Sequence, residues 1–198
     1  MVERAWVLLG DRAARLARPA GPSAAAIVRA VRAWPGVVDA VVTEAHVAAY
    51  FEGPVAIDEG RVRALSDARD DEEAPRAITL RCVYDGPDLD EVARRAGLAP
   101  EDAARLHAAG TYEVAVIGFL PGFAYLSGLD ARLETPRRAT PRPRVAAGSI
   151  GVGGRWTGVY PLPTPGGWSL IGRVVDGPMF GEEGARLRLG DRVRFVPS

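Results

Sequence analysis

Gly118-Phe119-Leu120-Pro121-Gly122-Phe123-Ala124-Tyr125-Leu126 opens the stretch that decides the fold. Pro136-Arg137-Arg138 and Pro141-Arg142 follow. Ala147-Gly148-Ser149-Ile150-Gly151-Val152-Gly153-Gly154 and Thr157-Gly158-Val159-Tyr160-Pro161 come next, and Thr164-Pro165-Gly166-Gly167-Trp168 and Ile171-Gly172-Arg173 close it. Gly or Pro recurs every few residues, and proline removes a backbone donor and clashes with the preceding helical turn, so long helices are excluded here. Short strands such as Val159-Tyr160 and Leu170-Ile171 must alternate with tight turns. Beyond them, Ala185 to Val196 alternates Leu, Val and Phe with Arg across Gly190-Asp191. That pattern predicts a closing hairpin with its apolar side inward. Many short strands joined by turns favour a closed barrel over an open sheet.

Upstream the periodicity becomes mixed. Ile78 to Tyr84 alternates as a strand does. Asp88 and Glu91 have the spacing of a capping box, Leu89, Val92, Ala93 and Ala96 supply an apolar helix face, and Gly97 a left-handed stop. Pro100, Glu101 and Asp102 suit the first turn of a second helix that ends near Gly110. Tyr112 to Phe119 reads as a strand. Residues 67–76 hold Asp67, Asp70, Asp71, Glu72, Glu73 and Pro75. Such an acidic run buries nothing and marks a linker. Before it, Ala5 to Leu9 reads as a strand, Ser23 as the N-cap of a helix carrying Ile27, Val28, Val31 and Trp34, and Pro35-Gly36 as its end. Val37 to Val42 and Val47 to Phe51 form a hairpin, and a weaker helix covers Asp58 to about Ala68. The expected class is therefore α+β, with a small sheet-and-helix domain over 1–75 and a β-barrel domain over 76–198.

The composition narrows the function. The 198 residues carry 25 basic and 25 acidic side chains, for a net charge of zero. A neutral balance argues against nucleic acid or an anionic membrane surface as partner. No apolar run approaches the ~20 residues of a membrane span, and the N-terminus lacks the features of a secretory signal. With Cys82 the only cysteine, a cytoplasmic location is expected. All 25 basic residues are arginine. A lysine Schiff base and a P-loop are thereby excluded. Any bound anion must be held by Arg, backbone N–H groups, helix N-termini or a metal. His46 and His107 with one cysteine make no zinc site of the usual type, so no metal is expected.

The ordered motifs of residues 118–173 resemble the family containing the B-type subunit of 5-oxoprolinase. The same family is also described as allophanate hydrolase subunit 1, as the carboxyltransferase C/D domain and as a sporulation kinase inhibitor family. The likeness extends to Tyr84-Asp85-Gly86-Pro87-Asp88-Leu89, to His107 and to Gly190-Asp191-Arg192-Val193-Arg194-Phe195. It is strong over 78–197 and weak before that. The resemblance implies a ferredoxin-like N-terminal domain and a cyclophilin-like barrel. It also implies a C-type partner, which together with an A-type protein and ATP cleaves 5-oxo-L-proline to L-glutamate. Two positions depart from the family pattern: Ala146 stands where proline is usual, and Trp156 where glutamine precedes Thr-Gly. The second replaces an amide with a large ring carrying one donor.

The candidate substrate-binding residues are Arg137, Arg142, Ser149, Thr157, Tyr160 and Trp168. Arg137 and Arg142 sit on a stiff Pro/Arg segment, and a guanidinium grips a carboxylate or phosphate in two places. The alternative is a solvated loop whose arginines pair with nearby carboxylates. Ser149 and Thr157 add hydroxyls to a segment whose glycines either let backbone donors approach a ligand or make tight turns. Pro165-Gly166-Gly167 could present Trp168 at a surface, or the ring could fill the core. Tyr160 and Tyr125 could donate hydrogen bonds, and Phe123, Gly166 and Gly167 could contribute contacts. His107 could be a proton donor, an interface group or a helix C-terminal residue interacting with the dipole. No catalytic acid–base pair can be assembled from Asp85, Asp88 and Asp130. An enzyme subunit is the leading reading. Its rivals are a module that inhibits a histidine kinase and a subunit of carboxyltransferase or allophanate hydrolase type.

Overall fold

The computed structural model describes residues 5–69 and 75–198. The chain divides into two compact units, Met1–Ala74 and Pro75–Ser198. Residues 70–74 of the expected acidic linker lie outside the described residues.

In the first unit a hairpin of β1 (Trp6–Leu8) and β2 (Ala13–Ala17) precedes α1 (Ala24–Arg32). β3 (Val37–Val42), β4 (His46–Phe51) and α2 (Glu59–Ala64) follow, and a 3-10 turn at Leu65–Asp67 extends α2. The sheet order is β1-β2-β4-β3, all antiparallel. β2 and β3 are thus parallel with β4 between them, and α1 is the crossover of a split β-α-β unit. β1 lies beside β2 at the sheet edge. Ser23 caps α1, its hydroxyl accepting from Ala26 N–H at 3.0 Å. Ile27 and Val31 of α1, Leu16, Val42, Val47, Phe51 and Leu65 are buried, the α-helical and two-residue periods meeting in one apolar layer. The sequence does not predict β2: Ala-Ala-Arg-Leu-Ala is made of good helix formers. Its place in the sheet comes from its partners, which bury Ala14 and Leu16.

The second unit confirms the barrel. Its elements are β5 (Ala77–Val83), α3 (Leu89–Ala96), α4 (Pro100–Ala109), β6 (Tyr112–Ile117) and β7 (Ala124–Ser127). Then come β8 (Arg142–Val145), β9 (Ser149–Gly153), β10 (Trp156–Val159), β11 (Thr164–Gly166) and β12 (Ser169–Val174). β13 (Phe180–Gly181), β14 (Gly184–Ala185) and β15 (Arg192–Pro197) complete it. Seven strands close in the order β10-β7-β6-β15-β5-β12-β9, while β8 and β11 form a separate ribbon. Closure removes sheet edges that would otherwise template other chains. Leu80, Val114, Leu126, Ile150, Val152, Val193 and Phe195 fill the core.

Two expectations are corrected here. The tail is no hairpin. β15 lies between β5, which it pairs in parallel over six residues, and β6, which it meets antiparallel. Asp191 steers it there: its buried carboxylate accepts from Arg76 Nε at 2.8 Å and Arg188 N–H at 2.7 Å, while Gly190 N–H bonds Val114 C=O at 2.9 Å. The alternation itself holds, with Val193 and Phe195 buried and Arg192 and Arg194 exposed. The capping box is also absent. Asp88 is the N-cap residue of α3, but its side chain caps nothing. The carboxylate instead accepts from Leu170 N–H at 2.7 Å, Arg142 Nη2 at 2.7 Å and Arg138 Nη1 at 3.2 Å. Asp88 N–H returns a bond to Leu170 C=O at 2.9 Å. A charged acceptor given three donors in a half-dry site outweighs one orphan helix amide. Glu91 turns outward to Arg94 and Arg95.

His107 lies wholly inside this unit. Thr157 donates to Gly151 C=O at 3.0 Å, so His107 Nε2–H donates to Thr157 Oγ1 at 2.9 Å. Nδ1 is then the acceptor for the Tyr84 hydroxyl at 2.7 Å. The Tyr112 and Phe195 rings pack on the imidazole, and burial lowers its pKa from 6.5 to about 3.

Two outcomes follow. The unfolded chain binds a proton at His107 below about pH 6.5 and the folded chain does not. Stability from this group is therefore complete above pH 6.5 and falls by about 1.4 kcal/mol per pH unit toward pH 3. His107→Gln should be less stable than wild type at pH 7, and the gap should narrow by about 2 kcal/mol at pH 5 in urea denaturation; an equal gap at both pH values contradicts the assignment. Asp88→Ala leaves the Arg142 guanidinium without its carboxylate and should cost about 3–5 kcal/mol. A loss below 1 kcal/mol in the same denaturation experiment would dissolve the clasp.

Candidate functional site

The glycines of β9 and β10 explain the site's floor. A methyl group on Gly153 would lie 2.5 Å from Trp168 Cδ1 and Nε1, and one on Gly151 3.1 Å from Trp168 Cβ. On Gly158 it would sit 2.7 Å from Ala124 C=O and 3.2 Å from Trp168 Cζ3. The Trp168 indole therefore rests on strands with no side chains beneath it. These three glycines serve neither turns nor anion approach, the two roles considered from sequence; they make room for a ring. Gly148 and Gly154, with φ of +82° and +58°, do occupy turns.

Around Trp168 the aromatic rings stack edge to face. Phe123 meets it at 5.3 Å, Tyr125 at 5.6 Å and Tyr160 at 6.5 Å between centroids. Such geometry aligns positive ring edges with negative faces. Together with Phe119, Arg137, Pro141, Pro165, Gly166 and Gly167 these rings line a cleft of about 260 Å³. That is just below the ~300–1,000 Å³ of pockets for drug-sized ligands, and suits a compact single-ring molecule. The β8–β11 ribbon sets the far wall, with Gly166 opposite Arg142. Gly166 is required there because a methyl group would lie 2.5 Å from Tyr160 Oη.

The polar groups are few. Arg137 is exposed and lines the cleft. Tyr160 is buried, its hydroxyl accepts from the backbone N–H of Trp168, and desolvation, the largest influence, raises its pKa. The hydroxyl thus stays protonated at neutral pH and keeps a proton to donate. The positive fields of Arg137 and Arg142 both reach it.

The structure brings together Arg137, Tyr160, Trp168, Phe123, Tyr125, Gly166 and Gly167 from the sequence-derived set. The other four are corrected. Arg142 does not line the cleft; Asp88 holds its Nη2, and its Nη1 is buried with no partner. Thr157 is fully buried with its hydroxyl bonded to Gly151 and His107. Ser149 begins β9 and acts through its backbone, its carbonyl accepting from Tyr160 N–H at 2.9 Å. His107 is a core residue, neither a surface proton donor nor a helix-end charge. Trp168 is only 4% exposed, so it is the cleft's back wall and no surface anchor. Trp156 packs its ring edge-on to Tyr125 at 5.9 Å, beneath the Arg155 guanidinium. Sequence reasoning does not reach Phe119, Pro141 and Pro165; the single signal for Phe119 is its place inside Gly-Phe-Leu-Pro-Gly. Among the described residues no cluster of His, Cys, Asp or Glu could hold a metal ion, and no helix is long and apolar enough to cross a membrane.

Known proteins resemble this chain in sequence and in fold. The 5-oxoprolinase B-type subunit of Escherichia coli O157:H7 is 42% identical over 173 residues, which cover 82% of this chain and 79% of that protein. Its counterpart of the same name in Bacillus subtilis (strain 168) is 43% identical over 139 residues, 68% of this chain and 58% of its own. A crystal structure of TTHA0988 superposes with a TM-score of 0.76 at 38% identity, over 94% of this chain but 40% of that one. The urea amidolyase of K. lactis superposes with a TM-score of 0.70 at 18% identity, over 98% of this chain and 15% of that one, a likeness of fold alone. The family model of the carboxyltransferase domain, subdomain C and D, matches residues 4–186, and this chain belongs to that family.

Proposed function

We propose that the chain is the B-type subunit of an ATP-dependent 5-oxoprolinase, hydrolysing the cyclic amide of 5-oxo-L-proline to L-glutamate together with C-type and A-type partners. Two curated relatives with more than 40% identity bear the name of that 5-oxoprolinase component. The observation that carries the reading is the cleft itself: an aromatic box with one guanidinium, Arg137, at its edge. 5-Oxoproline is a small, nearly flat ring bearing one carboxylate. Its ring faces match the walls of Phe123, Tyr125 and Trp168, and its carboxylate matches a bidentate fork. The Tyr160 hydroxyl, kept neutral by burial, supplies a donor for the lactam oxygen and polarises an otherwise unreactive amide.

The cleft does not fit ATP. Its volume of about 260 Å³ lies below the ~300–1,000 Å³ of pockets for drug-sized ligands, and a P-loop is excluded because the chain has no lysine. In this reading the nucleotide belongs to a partner, and this chain's residues bind and orient the lactam. That division of labour also makes activity depend on the complex.

In an assay of glutamate formation with the A- and C-type partners, leaving out this chain should abolish activity. Arg137→Ala should raise KM for 5-oxo-L-proline about 10- to 100-fold, the worth of a charge-assisted hydrogen bond. Equal glutamate formation without this chain refutes the reading; an unchanged KM in Arg137→Ala refutes the placement of the carboxylate.

A further inference from the structure

The turn from Gly118 to Phe123 holds one residue in an unfavourable state twice over. Phe119 has φ of +74° and is the one non-glycine residue in the left-handed region among the described residues. A side chain there crowds the backbone, and for a bulky residue the conformation is a genuine outlier. The residue is also 61% exposed, so burial offsets little of the strain. The turn is firmly tied nonetheless. Gly118 N–H bonds Phe123 C=O at 3.1 Å and Phe123 N–H bonds Leu120 C=O at 3.0 Å. Gly122, at φ +77°, lies against the Phe180 ring. Within this frame the Phe119 ring meets Phe123 edge to face at 5.4 Å and stands on the rim of the cleft.

We propose that Phe119 is a specificity-determining residue: the strained turn holds its ring as the outer wall of the cleft, so that a flat, ring-bearing anion is enclosed between Phe119 and the Phe123–Trp168 wall with its charge at Arg137. The inference rests on the cleft being the substrate site. Strained residues persist where the surrounding structure over-determines them, and they gather at ligand sites. For stability alone glycine is the better residue at 119, since it removes both the crowding and the exposed ring. The phenylalanine is therefore kept for what its ring touches when the cleft is filled.

Phe119→Gly, Phe119→Ala and Phe119→Tyr in the full chain separate the two roles. Phe119→Gly should melt no lower than wild type and a few degrees above Phe119→Ala, because those two variants differ only by the β-methyl that crowds a left-handed backbone. In the assembly with the A- and C-type partners, both truncations should raise KM for 5-oxo-L-proline about tenfold with a smaller change in kcat. Phe119→Tyr should keep the wild-type KM. A Phe119→Gly variant that melts no higher than Phe119→Ala overturns the strain argument, and truncations whose KM stays within twofold of an active wild type overturn the contact. A wild-type assembly that makes no glutamate fails the functional reading itself and takes this proposal with it.

Discussion

The cleft depends on one packing constraint: the Trp168 indole lies directly on the backbone of Gly151, Gly153 and Gly158. An indole pressed on bare strands has one face in dispersion contact with peptide groups and leaves its edges for other rings. Phe123, Tyr125 and Tyr160 each stand nearly perpendicular to it. Their T-shaped contacts fix each ring plane relative to the next, so the walls are set before a ligand arrives. The polar elements then follow from the same scaffold. The backbone N–H of Trp168 orients the Tyr160 hydroxyl, and Ser149 C=O holds the Tyr160 backbone.

A second layer holds the Pro/Arg segment over this box. Asp88 draws on the start of α3, on β12 at Leu170 and on Arg138 and Arg142 at once. Arg137 is the immediate neighbour of the pinned Arg138, with its own guanidinium left at the cleft edge. A charge placed by its neighbours and not paired by them loses less on meeting a carboxylate than one that must first break an ion pair. Arg138 and Arg142 are structural for the same reason that Arg137 is not: the Asp88 carboxylate already holds both.

Much of this was legible in the sequence, and the residues that were not share a cause. The β-branched runs at Val37–Val42 and Ile78–Tyr84, the Ser23 cap and the Gly97 stop are local signals, and the structure keeps them. β2, the path of β15 and the engagement of Asp88 are set by partners dozens of residues away, which no local pattern records. Asp88 illustrates it well: its spacing to Glu91 satisfies a local motif, yet a tertiary set of donors wins. The hydroxyls of Ser149 and Thr157 suggest ligand contacts by chemistry, but strand alternation turns Thr157 into the barrel toward His107. The glycines have a meaning that only the position of a ring far along the chain could reveal. Seven of the eleven candidate residues nevertheless line the cleft, because the aromatic and Gly/Pro motifs that suggest them are the packing units that build it.

The most direct test of the account is the indole N–H region of the proton–nitrogen correlation spectrum during titration with 5-oxo-L-proline. The chain has four tryptophans, and each assigned signal reports one place: Trp168 the cleft, Trp34 the other compact unit. In the assembled protein the Trp168 signal should shift and saturate while that of Trp34 stays fixed. A saturable response that leaves Trp168 unmoved, or turnover with no change at Trp168, would place the substrate elsewhere and contradict the cleft as its site.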